Sequence, residues 1–130
     1  MRTPSNFGRL LGELEHEVMQ VLWRSGESLT IRNVVDVLQR ERNLAYTTVM
    51  TIMGRLTAKG LLIRDESRQP HAYKTRYSQE ELYRSLAGTM LARIRKEFGD
   101  VAIACFVDEA EKAGRTKLKK LIRELKAREE

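Results

Sequence analysis

Apolar residues recur at helical spacing up to Gly60, give way to short runs with a period of two, and return to helical spacing after Ser78. Few folds accommodate that order, because a segment patterned for one period does not rest in the other structure. Before the switch, Leu14, Val18, Val21 and Leu22 lie on one face of a first helix that stops near Arg24-Ser25-Gly26. Thr30 is an N-cap residue for a second helix with apolar positions Ile31, Val34, Val35 and Leu38, and the polar run Arg40 to Asn43 reads as the turn after it. A third helix is predicted from about Tyr46 to Lys59, with Val49, Ile52, Met53 and Leu56 facing a core and Gly60 ending it.

The period-two region reads as a β-hairpin. Leu61-Leu62-Ile63 forms one arm, Asp65 to Pro70 a polar loop, and Ala72 to Tyr77 the other arm, with Tyr73, Thr75 and Tyr77 on one side. Ser78 with Glu81 three residues on matches a capping box and opens a long helix to about Phe98. Leu82, Leu86, Met90 and Ile94 recur every four residues along it, beside Tyr83, Leu91 and Phe98. Gly99 interrupts, and Val101 to Ala110 is apolar nearly all round, so cover is expected on several sides. Gly114 breaks the pattern again before a last stripe of Leu118, Leu121, Ile122 and Leu125. The predicted fold is mainly α with a small β-hairpin wing: a winged helix-turn-helix over residues 1–78, followed by a three-helix dimerisation arm over 79–130.

A third helix followed by a hairpin is placed to enter the major groove of DNA while the wing lies along the neighbouring backbone. Thr47, Thr48, Thr51 and Arg55 fall off the apolar stripe of that helix. Threonine hydroxyls bond phosphates and base edges, their methyls touch thymine methyls, and arginine pairs bidentately with guanine. Gly54, without a side chain, permits close approach. The wing carries Arg64, Arg68, Lys74 and Arg76, with His71 near its tip and Asp65 and Glu66 opposing them. Arg2, Arg9 and Arg32 are further candidates for backbone contacts. A net charge of +6, from 24 Lys and Arg against 18 Asp and Glu, fits an anionic partner. The bland alternatives are that the threonines only cap or decorate an exposed helix face and that the charge only solvates the surface.

The arm calls for a partner. One amphipathic helix cannot hide its own stripe, and burial against a second copy would give an isologous twofold dimer through Leu86, Met90, Ile94, Val101, Phe106, Leu118, Leu121, Ile122 and Leu125. The alternative is that these helices fold back on their own chain.

Other classes are poorly supported. The single cysteine, Cys105, permits no internal disulfide, and its apolar neighbours favour an inert buried thiol over a redox switch. His16 and His71 do not make a metal site, and no cofactor is predicted. The N-terminus lacks a signal-peptide pattern, and the longest apolar run, Val101 to Val107, is too short to span a bilayer, so a cytoplasmic protein without a membrane partner is expected. No phosphate loop, nucleophile elbow or metal-ligand spacing marks an enzyme, and Glu13, Glu15 and Glu17 read as favourable charges at the start of the first helix. The remaining alternatives are a winged helix that grips a protein without sequence-specific DNA binding, and an RNA-associated one, which exposed aromatics would be needed to support.

The run from Leu44 to Leu62, LAYTTVMTIMGRLTAKGLL, closely resembles the recognition-helix segment of the penicillinase-repressor (BlaI/MecI/CopY) family, and Leu14 to Trp23, LEHEVMQVLW, resembles that family's opening helix. The resemblance covers roughly residues 9–78 well and the arm in length and helix order. It implies a homodimeric repressor on a twofold-symmetric double-stranded operator, in the setting of β-lactamase regulation and antibiotic resistance. Contact residues would be Thr47, Thr48, Thr51 and Arg55, with Tyr46 at the head of the segment. Tyr46 stands where the family often has Pro or a small residue, and Thr47 where many members have Lys. In several relatives a sensor-linked protease cuts the arm between Asn and Phe; the matching bond here is Cys105–Phe106, with Cys in place of Asn. The cysteine cluster of copper-responsive relatives has no counterpart in the closing residues Lys126-Ala127-Arg128-Glu129-Glu130.

Overall fold

The computed structural model describes residues 11–129, which divide into two compact units, one ending at Ala87 and the other beginning at Gly88. The first holds α1 (Glu13–Ser25), β1 (Leu29–Thr30), α2 (Ile31–Leu38), α3 (Tyr46–Ala58), β2 (Leu62–Asp65) and β3 (Ala72–Thr75). A fourth helix, α4 (Gln79–Phe98), begins in this unit and ends in the second, which also contains α5 (Asp100–Glu129). This is a winged helix-turn-helix with a helical arm, mainly α with one small antiparallel sheet. Arg2 and Arg9 lie outside the described residues.

The stripes of the first three helices converge on one core. Val18, Met19, Val21 and Leu22 of α1, Val34, Val35 and Leu38 of α2, and Val49, Ile52, Met53 and Leu56 of α3 are buried together with Leu61, Leu62, Tyr73 and Tyr77. Burying a side chain of this size contributes roughly 1.5–3 kcal/mol, so these stripes dominate the stability of the unit. Leu14 and Ile31 close its margin, half-buried.

Local chemistry fixes the helix ends. Thr30 and Asn33 form a reciprocal cap on α2, Asn33 N donating to Thr30 Oγ1 at 3.1 Å and Thr30 N to Asn33 Oδ1 at 3.0 Å. At the end of α3, Leu61 N donates to Leu56 O at 2.9 Å and Gly60 N to Thr57 O at 3.0 Å, a Schellman closure. Gly60 takes φ 80° there, a left-handed conformation that a residue with a Cβ adopts only at a penalty.

The sheet has the order β1-β3-β2. The hairpin pairs Leu62 with Thr75, Ile63 with Lys74, Arg64 with Tyr73 and Asp65 with Ala72. Its second strand ends at Thr75, short of the expected Tyr77, although Tyr77 is still buried. The strand β1, which the pattern did not announce, adds Leu29 opposite Tyr73 and Thr30 opposite Ala72. Two residues carry no periodicity to read, and Thr30 ends this strand while capping α2.

The first turns of α4 belong to the same core. Ser78 and Glu81 make the expected box, at 2.9 and 3.1 Å. Leu82 is fully buried, and Leu86, expected at a dimer interface, packs half-buried against this core. Tyr83 meets the ring of Trp23 edge-on at 5.7 Å and shares its hydroxyl with His16 and with Gln79. The indole Nε1 of Trp23 donates to Tyr77 O at 3.0 Å.

The second unit differs in kind. No described side chain of α5 is buried. Val101 is 77% and Phe98 72% exposed, and Met90, Phe106, Val107, Leu121 and Ile122 are exposed as well. Among the described residues, the second unit leaves most of Val101 to Ala110 uncovered, and Cys105, expected to be buried, is exposed. The arm has the three expected helical segments: α4, and two that meet within α5 at a kink where Gly114 takes a non-helical backbone (φ −172°, ψ 55°). Gly99 (φ 85°) separates α4 from α5, with Arg95 paired to Asp100 across it at 2.9 Å. No described helix is long and apolar enough to cross a membrane.

Candidate nucleic-acid interface

With Val49, Ile52, Met53 and Leu56 committed to the core, helical geometry turns the remaining positions of α3 outward. Tyr46, Thr47, Thr48, Met50, Thr51, Gly54 and Arg55 are all exposed. The helix contains no carboxylate, so nothing of its own would repel a phosphate or a base edge. The structure thus brings the five predicted recognition-helix residues onto one solvent-facing surface. Met50, 45% exposed, joins them and was overlooked; its place off the apolar stripe was the available signal.

Two features shape this face. The hydroxyl of Thr51 donates back to Thr47 O at 2.9 Å, the i−4 carbonyl of its own helix. Gly54 has helical geometry, yet a Cβ placed on it would meet no described atom within 4 Å beyond its chain neighbours and its own helix backbone. Glycine weakens an exposed helix interior by about 1 kcal/mol relative to alanine. Neither backbone conformation nor internal packing calls for glycine at that position.

The neighbouring helices hold α3 in place. The Arg32 guanidinium lies 5.0 Å from the ring centroid of Tyr46, joining the first turn of α2 to that of α3. At the other end, Lys59 Nζ is 2.7 Å from Glu15 Oε2 on α1. Burial acts to raise the Glu15 carboxyl, but hydrogen bonds from Lys59 and the Gly12 backbone, with the charges of Lys59 and Arg55, leave it below the ordinary carboxylate value. In the turn between α2 and α3, Arg42 reaches both carboxylate oxygens of Glu17, at 2.9 and 3.0 Å. The acidic first turns of α1, read from sequence as helix-end charges, therefore also anchor the helix-turn-helix.

The wing is less uniformly basic than its composition implies. Arg64 stands opposite Tyr73 and Lys74 opposite Ile63, so the alternation of strand side chains sends these two cations to opposite faces of the hairpin. Arg64 is paired with Glu66 at 2.8 Å and bonded to Tyr73. Asp65 accepts hydrogen bonds from the hydroxyl and backbone of Ser67, which with Arg68 and Lys74 nearby hold its carboxyl below the ordinary value. Arg68, Lys74 and Arg76 are exposed, and His71 is half-buried beside Gln69. Among the described residues no group of His, Cys, Asp and Glu is arranged to hold a metal ion.

Three helices and a hairpin, with a third helix that turns its threonines and Arg55 outward, define a winged helix-turn-helix protein. The chain belongs to the penicillinase repressor family, whose model matches residues 11–127. It is 34% identical over 118 residues to the transcriptional regulator BlaI of two Mycobacterium tuberculosis strains, covering 90% of this chain and 86% of that protein. It is also 40% identical over 48 residues to an uncharacterized 16.5 kDa protein of Latilactobacillus sakei, covering 37% of this chain and 32% of that one. The chain is thus a transcriptional regulator and not an enzyme.

Proposed function

We propose that the protein represses transcription as a homodimer, in the cytoplasm, by binding a twofold-symmetric operator in double-stranded DNA. The winged helix over residues 1–78 would carry one half-site each, and the arm over 79–130 would join the copies. The observation that carries this reading is the outward face of α3, rich in threonine, carboxylate-free and backed by a buried core. Tyr46, Thr47, Thr48, Thr51 and Arg55 would contact the groove, and Arg68, Lys74 and Arg76, with His71 and Arg64, the adjoining backbone.

The dimer reading rests on the uncovered apolar side chains of the arm, among them Val101, Phe106, Leu121 and Ile122. A second copy would cover them. A sensor-linked protease acting at the Cys105–Phe106 bond would cut α5 within this apolar stretch, and release from DNA would follow from loss of the dimer. Genes for β-lactam resistance are the first targets to examine, since they are what the family is named for.

Selection of binding sites from fragmented genomic DNA, near physiological salt, tests the reading. A twofold-symmetric motif recovered by the wild-type chain and lost by a Thr48→Ala/Thr51→Ala control is the expected result. Sequence-blind, salt-sensitive binding by both would overturn it.

A further inference from the structure

We propose that Met50, Thr51 and Gly54 form an apolar seat on α3 that reads a thymine by its C5 methyl group. The proposal rests on the reading above, that α3 enters the major groove. Thr51 has already given its hydroxyl hydrogen to Thr47 O, at 2.9 Å. What it offers outward is a methyl group and oxygen lone pairs, with no donor left for the N7 or O6 of guanine, the N7 of adenine or a phosphate. Among major-groove edges, thymine alone presents a methyl group.

Gly54 makes room for that methyl. Residues three and four apart are neighbours on a helix surface, so Gly54 adjoins both Thr51 and Met50. A helical side chain covers the turn N-terminal to its own Cα. A side chain at 54 would therefore lie over Met50 and Thr51, and its absence leaves their apolar surface open. Outside the helix's own nearby backbone, no described residue comes within 4 Å of where a Cβ at 54 would lie, so no contact among the described residues requires glycine there. A body approaching from outside supplies the requirement. Arg55 follows directly and supplies the donors that Thr51 lacks, so a guanine contact by Arg55 and a methyl contact at the seat would read different bases of one half-site.

The test uses the full-length protein and an operator obtained by selection, with each thymine replaced singly by uracil, which removes only the C5 methyl. At one thymine in each half-site the wild-type protein should lose about fourfold in affinity, the equivalent of one buried methyl-sized group. Thr51→Ser, which keeps the hydroxyl and removes the methyl, should abolish that penalty. Thr51→Val, which keeps the methyl and removes the hydroxyl, should retain it. Gly54→Ala should raise the melting temperature, because alanine is the better helix former, while weakening operator binding. Selective binding with no uracil-sensitive thymine, or a penalty that survives in Thr51→Ser, or Gly54→Ala binding as tightly as wild type, overturns the seat alone. Absence of selective binding by the wild-type protein overturns the groove reading and the seat with it.

Discussion

The winged-helix unit and the arm are written in the same amphipathic pattern and meet opposite fates. In the first, the stripes of α1, α2 and α3 meet one another and the sheet, and Val18, Met19, Val34, Val35, Val49, Met53 and Leu56 are sealed from solvent. In the second, Leu121 and Ile122 recur just as regularly and remain exposed, as do Val101 and Phe106. A hydrophobic period thus states that a face must be covered without saying by what. Three helices and a sheet can cover one another. The helices of the arm, separated at Gly99 and again at the Gly114 kink, leave a remainder, and that remainder is the physical case for a second copy.

The largest expected effect lies where the two units differ most. Leu121→Asp puts a charge into the uncovered stripe and should turn the dimer into a monomer in sedimentation velocity. Operator affinity should fall by on the order of 100-fold or more, since two linked half-sites gain that much over one. The thermal unfolding of the winged-helix unit should stay as in wild type. A Leu121→Asp protein that remains dimeric would break the contrast drawn between the units.

A core truncation makes the complementary case. Leu56→Ala removes a fully buried side chain and should cost about 2–5 kcal/mol in urea unfolding. Ile122→Ala, added to the monomeric Leu121→Asp variant, should differ from that variant by no more than about 0.5 kcal/mol, as for an exposed site. Similar losses at both positions would mean that the arm has a core of its own.

The same contrast explains what could be read in the sequence. The stripes of α1 to α3, the N-cap at Thr30, the box at Ser78 and the stop at Gly60 were legible because each depends on residues a few positions apart. Leu82, Leu86, Met90 and Ile94 form one apolar row in the sequence, of which Leu86, Met90 and Ile94 were expected at a dimer seam, and the fold divides it: Leu82 is buried, Leu86 packs against the same core, and Met90 is exposed. Period identifies a face, and only tertiary structure identifies its neighbour. The strand β1 was missed because Leu29 and Thr30 become a strand only by pairing with Tyr73 and Ala72. The anchors Glu15–Lys59 and Glu17–Arg42 were missed for the same reason, since their partners are distant in sequence. On the candidate interface, the outward set from Tyr46 to Arg55 followed from the stripe, whereas the inward turn of the Thr51 hydroxyl depends on its rotamer, which no sequence pattern states.

Arg55→Ala should be a smaller, specific effect. If Arg55 reads a base, selective binding should weaken by about 1–3 kcal/mol and preference at that position should relax, with dimerisation untouched. A uniform loss across sequences with a shallower salt dependence would reassign Arg55 to the phosphate backbone.

The smallest expected effect is the pH response of the Glu15–Lys59 pair, which belongs to the winged-helix unit alone. Burial raises the Glu15 carboxyl, but the hydrogen bonds from Lys59 and Gly12 and the nearby charges outweigh it, so its folded value lies below the ordinary value of about 4.5. A carboxyl depressed by folding adds stability that is fully present above its unfolded value and disappears as pH falls through the folded one. The pair is partly solvated, so screening should keep this contribution to about 1 kcal/mol or less. Urea midpoints measured from neutral pH down through that window should therefore fall further for wild type than for Lys59→Met. Because the arm takes no part, the same difference should persist between Leu121→Asp and the Leu121→Asp/Lys59→Met double variant. A pH response that vanishes in the monomer would tie this ion pair to the dimer and remove the independence of the two units.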